Sequence, residues 1–274
     1  MEIYKFAYQI IKEAGRHIRE TIDEELEIET KSNPNDLVTN MDKETEERLF
    51  NNIKATYPEH FILGEEGHGK DIENTKGVLW IMDPIDGTLN FVHQKENFAI
   101  SIGIYIDGKK YAGFVYDVMN DKMYHALVGK GAWQNDKQLK QIENTELKSS
   151  LISTNPLWLT KEKLSKIYMP IIDEARSTRA YGSAALDFVH VARGITSAYL
   201  TMRLHPWDFA GGLIIAEEVG AVVTNLLGQS LNILEANSIV VGNKQIHDEL
   251  LTQYFLPYKV LLEEIHTERF KKNG

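Results

Sequence analysis

The chain has 274 residues, 43% hydrophobic and 26% charged, an ordinary globular composition long enough for one large domain or two of common size. It holds no cysteine, which excludes disulfides, thiolate metal sites, iron–sulfur clusters and thiol nucleophiles. Asp and Glu number 40 against 30 Lys and Arg, a formal charge of −10 that argues against a basic nucleic-acid-binding surface or adhesion to anionic lipid, and that would repel a phosphorylated ligand unless offset locally.

Residues 1–20 place Ile3, Phe6, Ala7, Ile10, Ile11, Ala14 and Ile18 at helical spacing between charges, which predicts an amphipathic helix and not a signal peptide. A short extended piece at 26–30 leads into the turn-rich Lys31-Ser32-Asn33-Pro34-Asn35-Asp36. A second helix is expected over about 39–56, burying Met41, Leu49 and Ile53 and ended by Tyr57-Pro58. Apolar runs at 61–63 and 78–82 read as buried strands, each delivering acidic residues at its end. From 98 to 133 the pattern is a meander: 98–106, a turn at Asp107-Gly108, 111–116, a turn near Asn120-Asp121, 123–128 and 129–133, with Ile100, Ile102, Ile104 and Ile106 marking one buried face. Past a composition shift near 145, strands at 151–154, 197–201, 221–224 and 238–241 alternate with helices at about 161–174, 183–193 and 207–219, and two helices close the chain. No apolar stretch approaches a membrane span, and a soluble cytoplasmic protein with subdomains 1–145 and 146–274 is expected.

Chemistry concentrates in three segments. Trp80-Ile81-Met82-Asp83-Pro84-Ile85-Asp86-Gly87-Thr88-Leu89-Asn90-Phe91 ends an apolar strand with Asp83 and Asp86 close together around Pro84, so that two carboxylates can share a hard cation. Gly87 allows a tight turn, and Thr88 at a helix start offers a hydroxyl and backbone N–H groups to a phosphate. Alone, Asp86-Gly87 would be a turn dipeptide, Glu65-Glu66 solvated surface, and Asp208 in Trp207-Asp208-Phe209-Ala210-Gly211-Gly212 a helix cap. Competing motifs fail. Gly64 to Lys70 fits G-x-x-x-x-G-K, but Asp71 stands where a P-loop needs Ser or Thr, and Ala99 replaces the first Gly of a G-x-S-x-G elbow around Ser101. Neither H-E-x-x-H nor EF-hand spacing occurs.

Gly64-Glu65-Glu66, Asp83-Pro84-Ile85-Asp86-Gly87-Thr88 and Trp207-Asp208-x-x-Gly-Gly, in this order, resemble the signature of the inositol monophosphatase family, over a stretch from the first helix to about residue 245. The resemblance implies an α+β fold, the αβαβα layered sandwich shared with fructose-1,6-bisphosphatases, and a lithium-sensitive, Mg²⁺-dependent phosphomonoesterase, commonly a homodimer. It implies Glu65, Asp83 and the Ile85 carbonyl as ligands of a first Mg²⁺, Asp83, Asp86 and Asp208 as ligands of a second, and Glu65 on a weaker third, so about two or three ions per site with Mn²⁺ as a substitute. Thr88, paired with Asp42, would orient the attacking water, although Asp42 also reads as a capping-box acid behind Thr39. Lys31 and the loop after it would close over the metals, with Glu66 in the catalytic set. Phosphate oxygens would fall to the amides of Gly87 and Thr88, and the rest of the substrate to Gly182, Ser183, Ala184, Thr201 and Arg203.

Oxygen donors without Cys or His favour Mg²⁺ or Mn²⁺ over zinc, and direct in-line attack by water without a phosphoenzyme is expected. Thr201 and Arg203 replace the Glu and Gly of inositol-selective members. A substrate with a second anionic group is therefore expected beside inositol monophosphate, such as fructose 1,6-bisphosphate or the 2′-phosphate of NADP, with a surface ion pair as the alternative role of Arg203. The runner-up function is a non-catalytic partner of RNA and transcription machinery, which the acidic balance disfavours; no direct nucleic-acid contact and no membrane partner are expected.

Overall fold

The computed structural model describes residues 1–31, 37–69, 72 and 75–270, the last three by backbone alone. The expected mobile loop at 32–36, most of the accidental G-x-x-x-x-G-K end at 70–71, and the basic tail end at 271–274 lie outside them.

Helix α1 (Glu2–Thr21) turns Ala7, Ile10, Ile11, Ala14, Gly15 and Ile18 inward, and a ribbon of β1 (Ile28–Thr30) and β2 (Leu37–Thr39) leads to α2 (Asn40–Thr56). Thr39 caps α2 in a reciprocal capping box with Asp42, which fixes where the helix starts. Strand β3 (Phe61–Gly64) runs parallel to β4 (Val78–Asp86), and α3 (Thr88–Gln94) follows immediately. The antiparallel meander β5 (Ala99–Ile106), β6 (Lys109–Asp117), β7 (Lys122–Leu127), β8 (Gly131–Gln134) and β9 (Lys137–Gln138) completes a sheet of order β3-β4-β5-β6-β7-β8-β9.

A second sheet is built from β10 (Leu151–Thr154), β11 (Ser177–Arg179), β12 (Ala198–Leu204), β13 (Val222–Thr224) and β14 (Asn237–Gly242), in the order β11-β10-β12-β14-β13 with β10 parallel to both neighbours. Its helices are α4 (Glu162–Glu174), α5 (Ala184–Ala192), α6 (Pro206–Glu218), α7 (Lys244–Glu249) and α8 (Lys259–Phe270).

The buried side chains sort into the interfaces of a five-layer sandwich. Ile10, Ile11, Leu49 and Ile53 of α1 and α2 pack on Ile100, Ile102 and Ile104. Across the same sheet, Ala99 and Tyr105 pack with Leu186 and Val189 of α5 and Ala210 and Ile214 of α6. Phe188, Phe209 and Leu213 then join α5 and α6 to Tyr199, Ile239 and Val241 of the second sheet, and Ile152, Leu200 and Val240 meet Leu164, Ile167 and Tyr168 of α4 on its far side. The order is αβαβα. Among the described residues no helix is long and apolar enough to cross a membrane.

Two expectations need correction. The meander was expected to bury one face of β5, and both are buried, because Ala99, Ser101 and Gly103 are small enough to admit α6: a methyl group on Gly103 would stand 2.7 Å from Ala210. The strand read over 78–82 with acids at its end is longer than that, since β4 continues through Asp83 to Asp86. The short edge strands β9 and β11 were not foreseen.

Candidate active site

Side chains on a regular strand alternate faces, so two residues three apart would point to opposite sides. Strand β4 avoids this with a bulge: Asp83 pairs with Ser101 and Asp86 with Ala99, one residue more on β4 than on β5. The bulge turns both carboxylates towards the layer that holds α5 and α6. There Asp208, in the first turn of α6, completes the group, and one carboxylate oxygen from each of Asp83, Asp86 and Asp208 lies within 4.8 Å of the others.

Each acid is also held by the backbone of its neighbourhood. Asp83 Oδ1 accepts the Ile85 N–H at 2.9 Å, and Asp208 Oδ2 accepts the His205 N–H at 2.7 Å, so the capping and clustering roles of Asp208 coexist. Asp86 Oδ2 accepts the Ser183 hydroxyl at 2.5 Å and the Ala185 N–H at 2.7 Å. That contact docks the start of α5 and brings Gly182, Ser183 and Ala184 to the site. Gly182 has φ +79, and Asn90 beside it donates to Tyr181 O at 2.7 Å and to Asn97 O at 2.8 Å, fixing the turn. Gly87 sits at φ +96 between β4 and α3, a left-handed conformation that glycine adopts without strain.

Thr88 and Asp42 meet behind the acids. The Thr88 hydroxyl is 3.2 Å from both Asp42 Oδ1 and the Ile85 carbonyl oxygen, while Asp42 Oδ2 accepts the Thr39 N–H at 2.8 Å and the Thr39 hydroxyl at 2.5 Å. One oxygen of Asp42 caps α2 and the other faces Thr88, so the two readings of this residue hold together. Glu65 stands outside the tight trio. Lys31 Nζ holds its Oε1 at 2.9 Å and Glu66 Oε1 at 2.6 Å.

Gathering these acids in a buried space raises their pKa values. Burial, then the charges of Glu65 and Asp86, push Asp83 well above the usual carboxylate range, and burial, then Asp86 and Glu65, do the same to Asp208. Burial raises Asp86 to about 6 against the bonds from Ser183 and Ala185, Asp42 to about 6 against those from Thr39, and Glu66 to about 7 against Lys31. Burial disfavours the Lys31 ammonium, but Glu65 and Glu66 outweigh it and raise its pKa. Convergent hard oxygen donors that repel one another fit a divalent cation.

Asp86 and Asp208 border a cavity of about 510 Å³ whose far wall includes Thr201 and Arg203. Arg203 is half-buried, with Nη2 3.1 Å from His205 Nε2, and His205 in turn stacks on Trp207 at 5.0 Å between ring centroids. Its charge works to lower the pKa of Asp208.

Two residues were missed. Glu46, 1% exposed, accepts the Glu66 N–H at 2.7 Å and contacts His68 Nδ1 at 2.7 Å, so it sets the course of the chain after β3. It lies one turn beyond Asp42 on the buried stripe of α2, the signal that could have found it. Asp187 lies one turn beyond Ser183 on α5, borders the cavity, and is raised to about 8 by burial, with the nearby Ser153 hydroxyl working against the rise and Asp86 adding to it.

The profile of the inositol monophosphatase family matches residues 1–258. The inositol-1-monophosphatase of Bacillus subtilis is 46% identical over 92% of this chain and 96% of its own length. The crystal structure of inositol monophosphatase-II from Staphylococcus aureus is 54% identical, covers 98% of this chain and 99% of its own, and superposes with a TM-score of 0.92. The 2′AMP-bound crystal structure of SaIMPase-II, 52% identical, covers the same shares with the same TM-score. With the bulge, the trio of carboxylates and these likenesses in agreement, the chain belongs to the inositol monophosphatase family and is a phosphomonoesterase of that family.

Proposed function

We propose that the protein hydrolyses a small phosphorylated metabolite with Mg²⁺ as its cofactor. The observation that carries this reading is the convergence of Asp83, Asp86 and Asp208 within 4.8 Å at the edge of a cavity, with the Thr88–Asp42 pair behind them. Asp83, Asp86 and Asp208, with the Ile85 carbonyl and Glu65, would hold about two or three Mg²⁺ ions, or Mn²⁺ in their place. Bound there, the cations supply Lewis acidity toward the phosphoryl oxygens and lower the pKa of water in the site.

The chain's own residues do the positioning. Because the Thr88 hydroxyl gives its proton to Asp42 or to the Ile85 carbonyl, its lone pairs are left to accept a hydrogen bond from the attacking water and aim that water at phosphorus. The amides of Gly87 and Thr88 take phosphoryl oxygens as charge grows on them. Lys31 draws Glu65 and Glu66 together beside the acids.

Thr201 and Arg203 line the same cavity, and a hydroxyl and a guanidinium suit a leaving group that carries an anion of its own. Residues 1–145 and 146–274 act as the two subdomains of one homodimer-forming chain in this reading. The non-catalytic alternative is not favoured, since the acidic set is complete. Phosphate release from inositol monophosphate, fructose 1,6-bisphosphate, NADP and adenosine 3′,5′-bisphosphate, in Mg²⁺ and in EDTA, tests the proposal. Turnover is expected in Mg²⁺ alone, and Arg203→Gly and Thr201→Glu should move preference towards inositol monophosphate. Turnover in EDTA equal to that in Mg²⁺ overturns the reading, and an unchanged substrate ranking overturns the role of Arg203.

A further inference from the structure

Hydrolysis at the three carboxylates accounts for the phosphate end of a substrate. Its alcohol must occupy the remainder of the cavity, which opens at the carboxyl end of the parallel pair β10 and β12, where ligands of α/β sheets commonly lie. Two polar side chains from different elements border that space with bonding capacity that the described residues do not use. Asp187 of α5 is 5% exposed and its Oδ1 has no hydrogen-bond partner among them; Thr154, the last residue of β10, is 5% exposed and its Oγ1 has none either. Buried polar atoms are nearly always paired, and an unpaired one is costly unless something entering the site completes it.

The placement of Asp187 is set by the site itself. It lies one helical turn past Ser183, on the same face of α5, and Ser183 is fastened to Asp86 at 2.5 Å. Beyond Asp86 and Asp208, Asp187 supplies the remaining carboxyl among the residues that line the cavity, whereas Thr201 on β12 brings only a hydroxyl.

We propose that Asp187 determines specificity by hydrogen-bonding, together with Thr154, a hydroxyl of the substrate's alcohol, so that phosphate esters of polyols and of ribose are preferred to those of simple aryl alcohols. This rests on the phosphomonoesterase reading above. A site shaped to bond a substrate hydroxyl rejects the analogue without one, because its own polar groups are then stranded.

The test compares kcat/KM for inositol monophosphate and for 2′-AMP with that for phenyl phosphate, which has no hydroxyl, at saturating Mg²⁺ in Asp187→Leu, Asp187→Asn and Thr154→Val. Asp187→Leu should lower the polyol-to-phenyl ratio by about tenfold or more through KM. Asp187→Asn, which keeps a donor and an acceptor, should lower it less than about threefold, and Thr154→Val by about threefold or more. A fall confined to one of the two alcohols supports the proposal and names that alcohol. A merely structural role would slow all three esters in parallel, and an unchanged ratio in Asp187→Leu overturns the proposal while the phosphatase reading stands. Should Asp187→Leu fail to fold, the ratio in Thr154→Val decides in the same way. If the unaltered protein releases phosphate from no ester, both readings fall together.

Discussion

The Thr88 hydroxyl meets Asp42 Oδ1 at 3.2 Å, joining the first turn of α3 to the first turn of α2 across 46 residues of sequence. Asp42 is thereby divided between stability and catalysis, and the two can be separated. Thr88→Val should lower kcat by about a hundredfold or more with KM little changed, since water positioning by such a pair contributes on the order of 10²–10⁴. Asp42→Asn should show a similar loss and also destabilise the fold by about 1 kcal/mol through the weakened cap of α2. The double variant should be no slower than the worse single one, because the two act as a unit. Full kcat in Thr88→Val would remove it from the water-positioning role.

Acidity stored in the site gives a pH signature. Folding raises Glu66 to about 7 and Asp187 to about 8, and lifts Asp83 and Asp208 well above their ordinary range, so each binds its proton more tightly folded than unfolded. The stability each contributes is complete below its unfolded pKa and is lost as pH rises through its folded one. Burial holds His60, His125, His190 and His247 below 6.5, so their unfolded forms take up protons near that value and oppose the effect at the low end of the window, an opposition that fades within about one pH unit above it. In EDTA the melting temperature should therefore fall between about pH 6.5 and 8, and Mg²⁺ should flatten the slope by taking the place of the protons. Melting in EDTA that is level or rises over this window would contradict the assignment.

Helix α6 is seated by glycine, and Asp208 rides on it. A methyl group on Gly211 would lie 2.6 Å from the Phe114 carbonyl oxygen and 2.9 Å from that of Ile102, against the backbone of β6 and β5. Gly211→Ala should cost about 1–3 kcal/mol by forcing the helix off the sheet, and should raise the Mg²⁺ concentration needed for half-maximal turnover as Asp208 is displaced. Thermal melting and a Mg²⁺ titration of activity measure the two effects. Unchanged values in both would mean that the sheet yields without moving the site.

Much of this site was legible because its residues are close in sequence or carry an unmistakable pattern. The spacing of Asp83 and Asp86, the cap at Thr39 and the helix after Trp207 all stand in the residues themselves. The reason the spacing works, a bulge against Ala99 and Ser101, is a property of strand pairing that periodicity does not reveal. Nor does hydropathy reveal the second buried face of β5, where Ala99, Ser101 and Gly103 are small because a helix lies on them. Glu46 and Asp187 belong to none of the motifs, and isolated acids are usually exposed, so their burial shows only when each is placed one turn from Asp42 or Ser183. Strands β9 and β11, two and three residues long, are too short for any alternation to register.

A chain with a formal charge of −10 must bind an anion, and divalent cations held by its own carboxylates are the means. Calorimetric titration of inorganic phosphate into the protein in EDTA and in saturating Mg²⁺, with Asp83→Asn alongside, tests this most directly. Binding in Mg²⁺ should be at least about tenfold tighter than in EDTA, and Asp83→Asn should lose most of that gain while melting as a folded protein. Equal phosphate affinity in EDTA and in Mg²⁺ would contradict it.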